Sequence, residues 1–297
     1  MFRTKATSNL TKESQVGDGV SLMRKLKELG PVRRVADLVD WGLTAPGFNV
    51  SWQTEPAKVL ELIRRLRPVN CGRELIRVGG EGDGGYLIPN DLDGIEYCFS
   101  PGVNTTSDFE NQMADLGIKS FLADYSVDGP PINRPEFTFD KKFVGAFNNE
   151  QFFTLSSWKD KYLKHYEGDL ILQMDIEGAE YPVILSTPSE LLSQFRILVI
   201  EIHYLDRLFD PCCFDLLASC LEKILESFSV VHIHPNNFYG KARRGFIEIP
   251  RLMEFTFLNK KRISKAVPEQ TFPHPLDAPN VPFRINPDLP KCWYKDI

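Results

Sequence analysis

Residues 169–180 read Asp169-Leu-Ile-Leu-Gln-Met-Asp-Ile-Glu-Gly-Ala-Glu180, and the fold turns on how this stretch is read. Leu170 to Met174 is a short, mostly apolar run, followed at once by Asp175, Glu177 and Glu180 with Gly178 among them. A near-continuous apolar run ended by turn chemistry is the pattern of a strand buried on both faces, as in a parallel α/β sheet. Open α/β sheets take their ligands just past the carboxyl ends of such strands, where these carboxylates fall. A strand that simply stops, followed by a helix whose first turn carries Glu for its dipole, explains the same letters. The rest of the chain has to arbitrate.

Upstream, Ile95-Glu-Tyr-Cys-Phe-Ser100 reads as a strand that breaks at Pro101-Gly102-Val103-Asn104-Thr105-Thr106. A helix is expected from Ser107, where Ser107 and Glu110 have the spacing of a capping box. Strand, glycine turn and helix start make a first βα unit, and free backbone N–H groups at such a start suit a carboxylate or a phosphate. The next strand, Ser120 to Asp124, ends in an acid 22 residues past Gly102. An acid about 20 residues on is where a carboxylate meets ribose hydroxyls, so the pair points to a nucleoside-containing cofactor. Residues 137–146 supply one or two short strands, and 155–167 a helix with Trp158 packed inward. Downstream come a buried strand from Arg196 to His203, an amphipathic helix over 214–228 and a strand from Phe228 to His234. Pro235-Asn236-Asn237 ends that strand, and Glu254 to Leu258 forms a last one. Strand and helix alternating from about 95 to 235 imply a doubly wound, mostly parallel sheet.

Three regions flank or make up this α/β domain. Residues 1–70 read as a helical extension or cap, with a polar start, two helices over 20–43 split by Gly30-Pro31, and an amphipathic helix over 55–67. Residues 71–262 hold the domain itself, and 263–297 form a tail with seven prolines, expected to run extended over the surface. Near the start of that domain, Arg77-Val-Gly-Gly-Glu-Gly-Asp-Gly-Gly-Tyr86 packs five glycines into seven residues. It lacks the Gly-Lys-Ser/Thr of a P-loop, and no long helix follows as a dinucleotide fingerprint requires. A tight hairpin and a ligand loop stand equal here.

The net charge of −5 argues against a non-specific nucleic-acid binder. Arg33 and Arg34, with their neighbours, read as a solvated helix face. Six cysteines without a CxxC pair read as reduced thiols, and no run reaches the about 18 apolar residues of a membrane span. A cytoplasmic protein is the expectation.

The chemistry gathers at three strand ends: Asp175 with Glu177, Glu201 with His203, and His234 with Asn236 and Asn237. In a parallel sheet these open on one edge, shared with the Gly102 turn and Asp124. His203 or His234 would serve as general base toward a hydroxyl. With Asp175 they would alternatively bind a divalent metal, Mg²⁺ or Mn²⁺, that acidifies the hydroxyl. His232 shares a face with His234, but His234 sits at the strand end.

Met174-Asp-Ile-Glu-Gly-Ala-Glu180 resembles the signature of the FkbM-type methyltransferases, which use S-adenosylmethionine. The resemblance extends through Gly79–Tyr86, Ser100-Pro-Gly-Val-Asn104, Thr154-Leu-Ser-Ser-Trp158 and Glu201-Ile-His203, covering roughly residues 77–258. It implies a class I methyltransferase sheet of seven strands with the last antiparallel, and an O-methyltransferase acting on a sugar or polyketide hydroxyl. By the same resemblance Gly102, Val103 and Asn104 hold the methionine end of the cofactor and Asp124 its ribose. Asp175 faces the reacting centre, Glu177 counts with the cofactor contacts, and the loop from Asp83 to Tyr86 closes over the cofactor. The turn here, Ser-Pro-Gly-Val-Asn-Thr-Thr, departs from the fuller glycine pattern of many methyltransferases. His203 is the first choice of base, with Asp175 and Glu201 beside it, and the acceptor is a small molecule or glycan. A nucleotide-sugar or NAD-dependent enzyme using the same crevice, and an inactive binding or scaffold module, are the competing readings. Cofactor titration separates the first, and binding without turnover marks the second.

Overall fold

A computed structural model describes residues 53–297. The helices expected over 20–43, with Arg33 and Arg34, lie outside the described residues. The chain runs α1 (Pro56–Arg65), β1 (Val69–Asn70), β2 (Leu75–Val78), β3 (Tyr86–Pro89), β4 (Tyr97–Pro101), α2 (Asp108–Asp115), β5 (Lys119–Ala123), β6 (Phe137–Asp140), β7 (Phe143–Gly145) and β8 (Phe152–Thr154). It continues with α3 (Leu155–Leu163), β9 (Leu170–Met174), α4 (Glu180–Ser186), α5 (Ser189–Leu192), β10 (Phe195–Ile202), α6 (Pro211–Ser227), β11 (Phe228–Pro235), β12 (Lys241–Arg244), β13 (Ile247–Pro250), β14 (Met253–Asn259) and β15 (Val267–Pro268).

Seven strands make the central sheet in the order β11-β14-β10-β9-β4-β5-β6. β10, β9, β4, β5 and β6 run parallel, while β14 is antiparallel to both β10 and β11. That order, with one reversed strand inserted next to last, is the class I methyltransferase sheet. The quoted stretch is its middle: every residue of β9 is buried, as an apolar run between two sheet faces requires.

Side chains alternate across the sheet and divide the core in two. Leu170, Leu172, Leu198, Ile200, Phe255 and Phe257 pack with α1, α3, α4 and α6 on one face. Ile171, Ile197, Val199 and Leu258 pack on the other with Phe109 and Met113 of α2 and with Tyr86 and Ile88 of β3. A β-hairpin therefore fills part of the second face, where a doubly wound sheet would carry helices. The glycine-rich segment is that hairpin: β2 and β3 pair antiparallel, and residues 79–85 connect them. A side chain at Gly79 would overlap the Gly84 carbonyl, and one at Gly85 the Gly80 carbonyl. Arg77 closes the turn by donating to the Gly80 and Gly82 carbonyls at 2.8 and 3.0 Å.

Two local expectations are corrected. Ser107 makes no side-chain cap for α2; its hydroxyl accepts the Ile132 N–H instead, and Glu110 turns inward toward Ser100. The box fails because Glu110 lies on the buried face of the helix. The tail is largely irregular, with β15 its one strand, and Leu289, Cys292 and Trp293 are buried in the main core. Trp293 is fully enclosed, with its ring 6.1 Å from Phe255 and its indole N–H donating to the Glu248 carbonyl at 3.1 Å. No described helix is long and apolar enough to cross a membrane.

Emptying a site filled by a buried indole costs about 3–5 kcal/mol. Trp293→Ala is expected to lower the free energy of urea unfolding by that amount. A change well below 1 kcal/mol would mean that the tail only lies on the surface.

Candidate active site

The carboxyl ends of β4, β5 and β9 meet at one point. Gly102, at φ +92°, lies so close to the Asp175 carbonyl that any side chain there would overlap it. Gly102 N–H donates to the Ala123 carbonyl at 2.9 Å, and Asp175 N–H to the Pro101 carbonyl at 3.4 Å. Beside this junction lies a cleft of about 440 Å³ lined by Asn104, Asp124, Ser126, Phe143, Phe152 and Asp175 among others. Its volume falls in the range of small-molecule sites, about 300–1,000 Å³, and its mixture of apolar walls with a few polar groups is typical of them. Asp124 is held by the N–H of Asn104 at 2.9 Å and by the N–H and hydroxyl of Ser126 at 2.7 and 2.6 Å. Three donors use three of the roughly four acceptor positions of a carboxylate, leaving one for a ligand hydroxyl.

Asp175 and Glu177 line that cleft and also face His203. The imidazole Nε2 lies 3.9 Å from Asp175 Oδ1 and 3.3 Å from Glu177 Oε2. On its other side, Nδ1 meets Glu180 Oε1 at 3.1 Å. The same oxygen accepts the N–H groups of Ile176 and Gly178 at 3.1 and 3.2 Å. Glu180 is wholly buried, so this one carboxylate ties the loop after β9 to the histidine after β10. Burial works against the charged form of His203, but the hydrogen bond and charge of Glu180, joined by Asp175 and Glu177, outweigh it and raise the imidazole. Glu177 at φ +57° and Tyr204 at φ +55° are left-handed without being glycine, and Asn104 at φ +42° joins them on the same edge. Such strain gathers at functional sites.

Deeper along the edge lies a buried belt of acids and amides. Glu201 accepts from Asn236 at 2.6 Å, and Glu254 from Asn280 at 2.5 Å. Glu201 and Glu254 are cross-strand partners on β10 and β14. Burial raises Asp175 to about 6, and burial with the neighbouring Asp175 charge drives Glu201 well above the carboxylate range. Tyr86 is raised by burial and then by the charges of Asp175 and Glu201. His234 sits in this belt, 3.6 Å from Asp277 and near Glu254, which raise it against its burial. Asp277 also accepts from His232 at 2.8 Å.

Of the residues singled out in the sequence, Gly102, Asn104, Asp124, Asp175 and Glu177 line one cleft, and His203 adjoins it through Asp175 and Glu177. Glu201 stands behind Asp175, while Asp83 and Tyr86 belong to the hairpin and its polar belt. Val103 is buried and points into the protein. His234 does not join Asp175 and His203, because β14 separates β11 from β10, and it faces Asp277 of the tail and Glu254 instead. Sequence reading missed Glu254, Asp277 and Asn280. A glutamate inside the apolar run of β14 was a signal for the first; nothing local marks the other two.

Residues 119–232 match the family described as the methyltransferase FkbM domain, so the resemblance in the acidic motif is borne out over that segment. That segment runs from β5 into β11, within the sheet whose strand order is given above. No curated protein matches the chain. Among solved structures, a protein assigned as a DNA modification methyltransferase of an E. coli prophage is similar at 11% identity, covering 56% of this chain and 47% of that one, with a TM-score of 0.35. The chain thus spans about half the length of that protein. A fibrillarin/Nop5p complex is similar at 13% identity over 57% of this chain and 74% of that one, with a TM-score of 0.35. A TehB-like SAM-dependent methyltransferase from Corynebacterium glutamicum is similar at 12% identity over 77% of this chain and the whole of the other, with a TM-score of 0.30. Likenesses this loose add nothing to what the strand order establishes.

Beneath the junction, Ser100 Oγ contacts both Glu110 Oε1 and Gln173 Oε1. One hydroxyl proton serves only one of two acceptors, so a neutral Glu110 completes the set. Burial raises Glu110 to about 7. A folded value above the unfolded one means that the folded state holds the extra proton, so stability falls as pH rises between about 4.5 and 7. Glu110→Gln is expected to match the parent in urea unfolding near pH 4.5 and to exceed it progressively up to pH 8. A difference independent of pH would show that Glu110 is ionised throughout.

Proposed function

We propose that the chain is an S-adenosylmethionine-dependent O-methyltransferase whose acceptor is a hydroxyl group, in a sugar or glycan. One observation carries the reading: the Asp124 cleft and the His203 cluster share Asp175 and Glu177. A cofactor in the cleft and a hydroxyl beside His203 would therefore be neighbours.

The residues fit the cofactor in kind. Asp124 has an acceptor position to spare for a ribose hydroxyl, and Phe143, Val144 and Phe152 offer apolar walls to a flat base. Gly102, Val103 and Asn104 form the turn assigned to the methionine end, with Glu177 across the cleft. Asp83 and Tyr86 are assigned to the cofactor side through their hairpin. When bound, S-adenosylmethionine supplies an electrophilic methyl group on a sulfonium that leaves readily.

The chain then has two tasks, to align the acceptor and to take its proton. Alignment of bound partners is worth several kcal/mol. His203 Nε2 is the free nitrogen, since Nδ1 is engaged by Glu180, and it takes the hydroxyl proton as the oxygen attacks. Glu180 then faces the imidazolium so formed and stabilises it, as an acid behind a catalytic histidine does. Asp175 and Glu201 hold the acceptor side of the site. The glycan assignment rests on the family, in which sugar hydroxyls are frequent acceptors.

Calorimetric titration with S-adenosylhomocysteine is expected to show micromolar binding that Asp124→Ala weakens at least about tenfold, the loss of one charged hydrogen bond. His203→Ala should keep that binding and lose about 10²–10⁴ in turnover on a panel of glycosides, the span of general base catalysis. Absence of cofactor binding would sink the reading. Binding without transfer to any glycoside would leave a binding module.

A further inference from the structure

Around His203 the polar atoms are mismatched. Asp175 Oδ1, Glu177 Oε2 and His203 Nε2 all lie within 4.8 Å of one another. The Nδ1 proton is committed to Glu180, so Nε2 of the neutral ring presents a lone pair to two carboxylates. His203 is 5% exposed, and its Nε2 faces the carboxylates of Asp175 and Glu177. Asp175 Oδ1 is buried and meets no N–H or hydroxyl donor among the described residues, the Glu201 carboxyl being the neighbour of this side chain. Three acceptors converge with no donor between them.

Two things resolve such a convergence, a proton or a cation. A proton on Nε2 reaches one carboxylate, and Glu177 Oε2 at 3.3 Å is the nearer, which leaves Asp175 Oδ1 at 3.9 Å unsatisfied. A cation at the centre meets all three. We propose that Asp175, Glu177 and His203 bind one divalent first-row metal ion at the mouth of the cleft.

The distances suit it. Ligands about 2.0–2.2 Å from an ion lie at most about 4.4 Å apart, and both His203 separations fall inside that limit. Any closure needed falls to Glu177, whose side chain is 76% exposed and free to move. Behind the ligands, Glu180 forms the carboxylate–histidine pair that orients a metal-bound imidazole and raises its basicity. The loop is built for the purpose as well: Glu177 is held at φ +57°, and Gly178 leaves room for the Tyr204 ring, which a side chain there would strike. One imidazole with two carboxylates suits Mn²⁺, Fe²⁺ or Zn²⁺ and leaves positions open for water or a hydroxyl.

The site stands on its own geometry; only its role in catalysis rests on the function proposed above. An ion there lowers the pKa of the acceptor hydroxyl. With an ion bound, His203 Nε2 is a ligand in place of the base described above, and the acidified hydroxyl loses its proton to solvent.

The test is Mn²⁺ titration of the EDTA-stripped full chain, read by electron paramagnetic resonance and calorimetry. One equivalent should bind with submillimolar affinity, His203→Ala and the exposed Glu177→Gln should each weaken it, and Glu180→Gln should weaken it about 10–100-fold through the imidazole alone. Asp115→Asn, in a surface ion pair with Arg134, should leave it unchanged. No bound Mn²⁺, or binding indifferent to both His203→Ala and Glu177→Gln, would overturn the site. S-adenosylhomocysteine titration of the same stripped protein separates the two claims. Cofactor binding without Mn²⁺ removes the metal alone, and Mn²⁺ binding without cofactor removes the methyltransferase reading while leaving the site.

Discussion

The backbone of Gly102 rests against the carbonyl of Asp175, and the functional edge of the molecule follows from that contact. Two chain segments approach this closely only where one of them has no side chain. The contact brings the turn after β4 and the loop after β9 together, while Gly102 N–H reaches back to β5 through Ala123. Three strand ends are thereby fixed relative to one another. The cleft opens beside them, with Asp124 from the third strand and Asp175 from the middle one lining it. Gly102 thus serves the protein's own packing, and the cleft is a consequence of it.

From this junction the order extends through a second buried device. Glu180 spans from the backbone of residues 176–178 to His203, so the ends of β9 and β10 share a single carboxylate. A buried acid is costly unless its oxygens are satisfied. Here one oxygen accepts three donors while the other, Oε2, has no hydrogen-bond partner among the described residues. The belt of Glu201, Glu254, Asn236 and Asn280 repeats the theme with amides as donors. Asn280 reaches Glu254 from the tail, which is itself held by Trp293 in the core. Packing at one end of the tail therefore supports polar satisfaction at the other.

Much of the sheet was legible because burial leaves a plain mark on sequence. β9, β10, β11 and β14 appear as apolar runs, and the turn chemistry at Pro101-Gly102 and Pro235-Asn236 closes two of the strands. The offset from Gly102 to Asp124 proved to be a direct structural link, since the Asn104 N–H donates to Asp124. What stayed hidden depends on contacts between distant segments. Glu110 matched a capping box in local spacing, but Ser100 and Gln173, from two other strands, surround it in the core. His234 looked equivalent to His203 at a strand end, but β14 lies between their strands and His234 faces Asp277 and Glu254 instead. The tail itself reads as surface by its prolines, although Trp293 is one of the largest buried side chains.

The edge carries more unrelieved charge than stability alone would favour. Replacing buried ionic groups with apolar ones of similar size is often neutral or stabilising, yet Asp175, Glu180, Glu201, His203, His234 and Glu254 all crowd one end of a sheet whose middle is apolar. Acids pushed upward by burial and by one another hold their protons loosely near neutral pH, as Asp175 does at about 6. Such a group can give or take a proton with little cost in either direction, which is the property general acid–base chemistry requires. Residues in left-handed backbone flank the same end, at 104, 177 and 204. Strain, poised protons and converging acceptors coincide at one place, and the apolar remainder of the sheet supplies the stability that lets them persist.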